Sequence, residues 1–504
     1  MVFFLFLLLS ILFFIFFAIF SRKFSHLPPG PWAWPIMGNL LMLGKDPHLT
    51  LTHWAERYGP LMHLQLGSFG TVVASSPTMA KEFLKTHDHV FQYRPSKLTF
   101  KILNKNWSMG VASGPTLRHM RKICTNALLT QKRLQSFQPM RSQEIQEAIK
   151  EIYRETNEGK VVNLSFTLSS LTTNHMTQML FKKRYSGTGN DTKEAQWFRE
   201  IIDAITRWHG VFIIGDYIPY LRWVTKLQGI DKSLEALRDE ISNFVTRIMD
   251  EHRTIPSTPN SNIEDVAPDF VDILFTLPRE DGTGHLTDDA IQGFIMLTFC
   301  VFADTSTVTL EWAMAELLQH PDIMKRVQAE LDNVVGRNRL VEESDLQNLP
   351  YLQAILKENF RIHPPAPLMI PHCSIESSQV QGYNLPANTR VLVNLWAMGR
   401  DPKIWANPLQ FDPNRFMEHD DIDMQGRNFE LLPFGTGKRA CPGRPLAVLI
   451  VQIALARLLQ SFDYSIPKVE QEPIDMSATF GLSLKKTNAV CVVAHPRLQA
   501  HFYD

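Results

Sequence analysis

The sequence predicts a mainly α-helical fold with small β-sheets, an α+β chain in which one large domain (residues 36–504) follows a single-pass N-terminal membrane anchor. Three observations predict it. An apolar run opens the chain, helical periodicity fills residues 136–250 and 287–319, and alternating β-branched residues occur only in short pieces such as Leu61 to Val73. With 504 residues and 44% hydrophobic content, the chain can bury a large core. Lys+Arg and Asp+Glu balance at 51 each, and no basic stripe points to a nucleic-acid partner. The cysteines at 124, 300, 373, 441 and 491 are few, odd in number and scattered, which suits a reducing compartment rather than a disulfide framework. No internal repeats stand out.

Val2 to Phe20 has Ser10 as its only polar member. At ~1.5 Å rise per residue it spans about 28 Å, close to the ~30 Å hydrocarbon core of a bilayer. A cleaved signal peptide has a shorter apolar region, a basic start and a small-residue cleavage site, and none of these is present. Arg22 and Lys23 follow, so the positive-inside rule leaves the body in the cytosol. Residues 1–21 therefore read as a signal anchor in the endoplasmic reticulum membrane, in contact with lipid. The sequons at Asn106, Asn163 and Asn190 are then unglycosylated. Residues 22–35 form a basic and proline-rich hinge: Leu27-Pro28-Pro29-Gly30-Pro31 cannot continue a helix and favours a stiff spacer. Pro35-Ile36-Met37-Gly38-Asn39 opens the globular part, and Gly67-Ser68-Phe69-Gly70 turns the short hairpin after it.

The chemistry concentrates in Leu432-Pro433-Phe434-Gly435-Thr436-Gly437-Lys438-Arg439-Ala440-Cys441-Pro442-Gly443. The glycines let backbone pass close to a bulky planar group. Nearby cations are expected to lower the Cys441 pKa, and the thiolate is the form that binds metal. One thiolate without a partner cysteine excludes a zinc knuckle or an iron–sulfur cluster, and fits a metal whose remaining ligands come from elsewhere, such as haem iron held axially by cysteine. The run reads Phe-x-x-Gly-x-Arg-x-Cys-x-Gly and resembles the haem-ligand signature of the cytochrome P-450 family, in its microsomal plant-type class.

The resemblance extends across the chain in the family's order, and the hinge is part of it. Ser113 to Leu129 reads as a helix carrying Arg118, Arg121 and Lys122. It is either a solvated basic face or, by the resemblance, the segment whose Trp and Arg bond a haem propionate. Leu117 stands where the family's tryptophan is usual, which implies looser haem retention. Trp208 to Arg222 resembles the family's membrane-facing access region, and a core segment is the alternative. Thr254 to Pro268 reads as an exposed loop. Thr287 is a good N-cap, followed by Asp288 and Asp289, for a helix of about 32 residues ending at His320-Pro321 and running roughly 48 Å. Within it Asp304, Thr305 and Ser306 match the family's acid–hydroxyl proton relay, whereas Val301 and Phe302 replace the usual small residues and leave the pocket's shape unusual.

In the second half, Glu358-x-x-Arg361 and Arg415 of Phe411-Asp412-Pro413-Asn414-Arg415-Phe416 match the family's structural ion-pair network behind the haem. Pro365 to Pro371 reads as an apolar, proline-stiffened strand; the resemblance implies that it lines the pocket and that His372 after it takes a propionate-binding place. Pro442 to Phe462 is a helix whose N-terminal dipole favours the thiolate. Ala478 to Leu482 resembles the turn that dips into the substrate cavity.

The resemblance thus implies a haem-thiolate monooxygenase that binds haem b (iron protoporphyrin IX). Cys441 is the expected axial ligand, with Asp304 and Thr305 delivering protons and Arg121, His372, Arg439 and Phe434 holding the cofactor. NADPH supplies electrons through a membrane-bound reductase. Lys122, Lys438 and Arg444 form either its docking face or a solvated surface. The expected substrate is a small apolar or phenolic specialised metabolite. Two alternatives stay open: a reductase-independent isomerase or dehydratase, told apart by turnover without NADPH, and a catalytically weak membrane scaffold, told apart by haem content.

Overall fold

The computed structural model describes residues 10, 26–103, 109–187, 193–254, 268–279, 282–419, 421–467 and 474–503, without the side chains of 297 and 299–303. The anchor, the start of the hinge, most of the 254–268 loop and the side chains of Val301 and Phe302 lie outside the described residues. The principal helices are α1 (Pro47–Tyr58), α2 (Gly114–Ile123), α3 (Gln138–Asn157), α4 (Leu164–Phe181), α5 (Lys193–Gly210), α6 (Ile230–Thr254), α7 (Phe270–Thr276), α8 (Asp288–Gln319), α9 (Pro321–Val334), α10 (Pro350–Ile362) and α11 (Arg444–Ser461). The strands are short: β1 (Leu61–Leu66), β2 (Phe69–Ala74), β3 (Val162–Asn163), β4 (His372–Cys373), β5 (Ser378–Val380), β6 (Tyr383–Leu385), β7 (Arg390–Val393), β8 (Phe462–Ser465), β9 (Ala478–Phe480), β10 (Leu484–Lys486) and β11 (Cys491–Pro496). The fold is mostly helical with small sheets, as the periodicity predicts.

Helix α8 is the axis of the molecule. Its Thr287 cap accepts a hydrogen bond from the Ala290 N–H, as that residue type in that place predicts. It lies against α4, itself buried nearly all round, and the Thr172 and Thr307 hydroxyls meet at 2.6 Å across that contact. Helix α11 is apolar on every side. It is the one helix among the described residues long and apolar enough to cross a membrane, yet 67% of that window is buried inside the protein, so it serves as core.

The largest sheet has the order β1-β2-β7-β4, with β1–β2 a hairpin, β7 parallel to β2 and β4 antiparallel to β7. The register pairs His372 with Val391 and so hangs His372 at the sheet's edge. The predicted strand over Pro365–Pro371 is a correction: those residues form turns, and the strand begins only at His372. Pro365, Pro367 and Pro371 have no N–H to give a ladder, and Met369 sits at φ 48°. The helix predicted over Ser113–Leu129 is regular only in α2; Cys124–Leu128 then forms a wider i→i+5 turn, closed by Leu129 N–H on the Cys124 carbonyl at 2.8 Å.

Exposed large apolar residues fall in two stretches of chain that each touch the β1–β2 hairpin, one before it and one at 211–227. Trp32, Trp34 and Ile36 belong to the first, and Phe212, Trp223 and Leu227 to the second. The Ser68 N–H donates to the Tyr217 carbonyl at 2.8 Å, and Gly67 packs so closely there that a Cβ would lie 2.4 Å from that oxygen.

Away from the cavity, His252 on α6 donates from Nδ1 to the Ile248 carbonyl and from Nε2 to the Asp269 carboxylate, both at 2.8 Å. Both partners are acceptors, so the ring is the doubly protonated imidazolium. Burial lowers its pKa, but the hydrogen bond and charge of Asp269 and the charge of Asp272 outweigh burial and leave it raised above 6.5. A group raised on folding adds stability that is complete below its unfolded value and is lost as pH climbs through the folded one. The denaturation midpoint of the protein should therefore exceed that of H252Q by more at pH 6 than at pH 9. An equal margin at both values would exclude the charged pair.

Candidate active site

The cysteine loop closes on itself: the Cys441 N–H donates to the Phe434 carbonyl at 2.8 Å. Gly435 and Gly437 take φ values of 64° and 69°, and a side chain at 437 would meet the Leu84 carbonyl at 2.6 Å. The loop can therefore lie flat only with glycine there. Cys441 exposes its surface, and that surface lines an internal cavity of about 330 Å³. Its thiol corrects the expectation from nearby cations. Burial pushes the pKa up, and the Gly443 and Arg444 N–H groups with the charges of Arg121 and Arg444 offset only part of this. A bound metal cation would reverse that balance.

The same cavity is walled by α8 through Phe294, Thr298, Thr305, Ser306 and Thr309. Ser306 Oγ is buried and, among the described residues, has no hydrogen-bond partner; Thr309 Oγ1 donates to the Thr305 carbonyl at 2.8 Å. Asp304 does not line the cavity. Its carboxylate pairs instead with Lys485 and accepts from the Ser483 hydroxyl, both on the C-terminal hairpin. Phe434 lines the cavity and meets the Phe360 ring edge-on at 5.3 Å. Leu117, 3% exposed, fills part of the wall where a tryptophan donor was expected to be missing.

One edge of the cavity is cationic: Arg94, Arg121 and Arg439 line it beside His372, and among the described residues no Asp or Glu does. Arg121 donates to the Ala440 carbonyl at 2.6 Å, tying α2 to the cysteine loop. Arg439 spends its guanidinium on the carbonyls of Gln92, Met109 (3.1 Å) and Ala112 (2.6 Å), which leaves two of its five N–H groups. His372 Nδ1 faces the Phe91 carbonyl at 2.9 Å; burial first, then the charge of Arg94, holds the ring far below its usual pKa and so neutral.

Arg94 is the residue that sequence reading missed. It donates to the Ile370 and Pro371 carbonyls, the latter at 2.9 Å, and its Nε is buried with no partner among the described residues. Burial and the neighbouring Arg439 charge pull its pKa down to about 9, and burial with Arg121 pulls Arg439 to about 10. The one available signal was Arg94-Pro95, where the proline forces the arginine into extended backbone. Of the three lysine and arginine residues read as a possible docking face, Lys438 pairs with Asp88 at 3.6 Å and Arg444 donates to the Gln425 carbonyl at 2.9 Å, while Lys122 is exposed.

A slot with an apolar body and a crowded, uncompensated cationic edge calls for a flat apolar molecule carrying carboxylates. Haem b has that form, with two propionates, and the orphaned Arg94 Nε and the glycine-lined approach to Cys441 fit it.

Comparison with known proteins agrees. The Cytochrome P-450 family model matches residues 28–492. Cytochrome P-450 703A2 of Arabidopsis thaliana is 39% identical over 494 residues, covering 95% of this chain and 94% of its own. A flavonoid 3'-monooxygenase of Arabidopsis thaliana is 39% identical over 507 residues, with 98% of each chain covered. A zebra fish cytochrome P-450 solved with abiraterone superposes with a TM-score of 0.73 at 29% identity, over 90% of this chain and all (100%) of that one. A cysteine loop, a hydroxyl-bearing distal helix and a cationic edge around one cavity thus meet a family match over nearly the whole length: the chain belongs to the cytochrome P-450 family of haem-thiolate monooxygenases.

Proposed function

We propose that this protein is a microsomal monooxygenase that hydroxylates a phenolic specialised metabolite of flavonoid type, using dioxygen and electrons passed from NADPH by a membrane-bound reductase. The observation that carries this reading is that Cys441, Thr305 and Ser306 line one cavity. Haem held through the Cys441 thiolate would supply oxygen activation. Everything else falls to the chain. Cys441 offers its sulfur, held by the Gly443 and Arg444 N–H groups. Arg94, Arg121, Arg439 and neutral His372 would hold the haem propionates, and Phe434 would give the ring an apolar contact beside Cys441. Thr305 and Ser306 hold protons at hydroxyl oxygens inside an otherwise apolar wall, with Asp304 as the adjacent acid. Phe294, Met369 and Leu395 exclude water and offer apolar contact to an aromatic substrate.

The substrate class rests on relatives named flavonoid 3'-monooxygenase and, in Campanula medium, flavonoid 3',5'-hydroxylase, the latter 37% identical over 494 residues. Attachment to the endoplasmic reticulum rests on the apolar run Val2 to Phe20 and on the exposed tryptophans 32, 34 and 223, a residue type that settles at membrane interfaces. Residues 1–21 are the anchor and 22–35 the hinge in this reading, and 36–504 the catalytic domain on the cytosolic side.

The test is a reduced, carbon-monoxide-bound difference spectrum of recombinant membranes, followed by turnover of a flavanone, a flavone and a flavonol with NADPH and reductase. A thiolate-type Soret band and reductase-dependent addition of a hydroxyl are expected. Conversion without NADPH would replace the reading with isomerase or dehydratase chemistry. Arg94 supplies a further check: a charge-assisted hydrogen bond is worth ~1.5–3 kcal/mol, so Arg94→Leu should speed haem loss to apomyoglobin roughly 10- to 100-fold. An unchanged loss rate would remove Arg94 from the propionate set.

A further inference from the structure

We infer that Lys485 is a positioning residue for Asp304, and that with Ser483 it makes the β9–β10 hairpin a latch that keeps this acid turned away from the cavity until the hairpin shifts. This rests on the reading of Asp304 as the acid of the proton relay. The Asp304 side chain is 11% exposed, and Lys485 is the cation paired with it. A nearly buried carboxylate is costly without a partner, so its orientation follows the ammonium. Lys485 also faces Glu311 one helical stretch further on: burial raises that carboxyl's pKa, and Ser165, Lys485 and Lys486 oppose the rise. Two acids of α8 thus lie within the field of one short strand.

The strand is stapled to the helix at two further points and to the cavity wall at a third. Trp312 Nε1 donates to the Leu484 carbonyl at 2.9 Å, the Lys486 ammonium lies 4.9 Å from the Trp312 ring centroid, and the Leu484 N–H donates to the Pro365 carbonyl at 2.9 Å. Pro365 lines the cavity, and the hairpin turn at Gly481 abuts the end of α5, where a Cβ on Gly210 would lie 3.4 Å from the Gly481 Cα. Movement of the cavity wall at Pro365 is therefore transmitted through β10 to Ser483 and Lys485. When they withdraw, Asp304 loses both partners and is free to turn toward Thr305, the next residue of the helix. Occupation of the cavity and readiness of the acid become one event.

The experiment uses full-length, haem-loaded protein in detergent with reductase, comparing K485Q, K485R and D304N. Two quantities are read: hydrogen exchange at residues 478–486, and the fraction of NADPH electrons released as hydrogen peroxide with and without a flavanone probe. K485Q is expected to speed exchange in the hairpin at least threefold, and to make peroxide release insensitive to the probe; K485R should restore both. Unchanged exchange in K485Q overturns the latch. Faster exchange with an unaltered probe response, while D304N alters it, overturns the control of Asp304 but spares the relay reading. If D304N also leaves peroxide release unaltered, the relay reading of Asp304 fails, and the positioning role fails with it.

Discussion

Cys441→Ser is expected to abolish the thiolate-type Soret band and all NADPH-dependent turnover while leaving the fold intact. The serine hydroxyl has the same length of side chain and accepts hydrogen bonds from N–H groups, so the Gly443 and Arg444 donors that face the sulfur keep a partner. The side chain exposes its surface to the cavity and packs no core, so removing sulfur costs little in van der Waals contact. A hydroxyl is not ionised near neutral pH, and the electron push that the thiolate gives toward O–O cleavage goes with it. Thermal denaturation should shift by no more than a surface substitution does, within about 0.5 kcal/mol. Cys124 provides the internal control. It lines the same cavity, but burial pushes its thiol up to about 12, so it is not a thiolate. Cys124→Ser should keep the band. Retention of a thiolate-type band in Cys441→Ser, or its loss in Cys124→Ser, would move the ligand to the other cysteine.

What could be read from the sequence divides along a physical line. The cysteine loop was legible because its requirements are local: glycines at positive φ, a cysteine closing back on Phe434, and a helix starting just beyond it. Glu358 and Arg361 were legible for the same reason, one helical turn apart. Arg94 was not, because its partners Ile370 and Pro371 lie some 276 residues downstream and an isolated arginine in sequence looks like any solvated one. The orientation of Asp304 was hidden in a similar way. Helix α8 is apolar all round over Ile291 to Ala303, so periodicity gives no phase, and the deciding partners Ser483 and Lys485 come 179 residues later or more. Pro365–Pro371 was misread as a strand because apolar composition was weighed above missing donors.

Arg361→Ala is expected to be the most damaging change outside the cavity, since it strips a fully buried carboxylate of its two-bond partner. Arg361 and Glu358 are both 0% exposed, and they meet through two parallel bonds of 2.7 and 2.8 Å, the fork geometry that suits guanidinium to carboxylate. Glu358 also accepts from Arg415 Nε at 3.0 Å and from the Asp412 N–H at 2.7 Å. Arg361 in turn donates to the carbonyls of Gly399, Pro408 and Gln410, stitching α10 to the 399–415 segment that packs against it. Gly399 can come that close only because it lacks a Cβ, which would lie 2.2 Å from the Arg361 carbonyl. Removing the guanidinium leaves Glu358 to Arg415 and the Asp412 N–H alone and strands three carbonyls, and breaking such a buried pair costs ~3–5 kcal/mol. Against a total stability of about 5–15 kcal/mol this is a large share. Arg361→Ala membranes should therefore hold little haem-loaded protein, and what remains should lose its Soret band at a much lower urea concentration. Arg361→Lys keeps the charge but not the fork, and should fall between the two. The pair's structural role is refuted if Arg361→Ala accumulates normally and unfolds within about 1 kcal/mol of the parent, the range of an exposed ion pair.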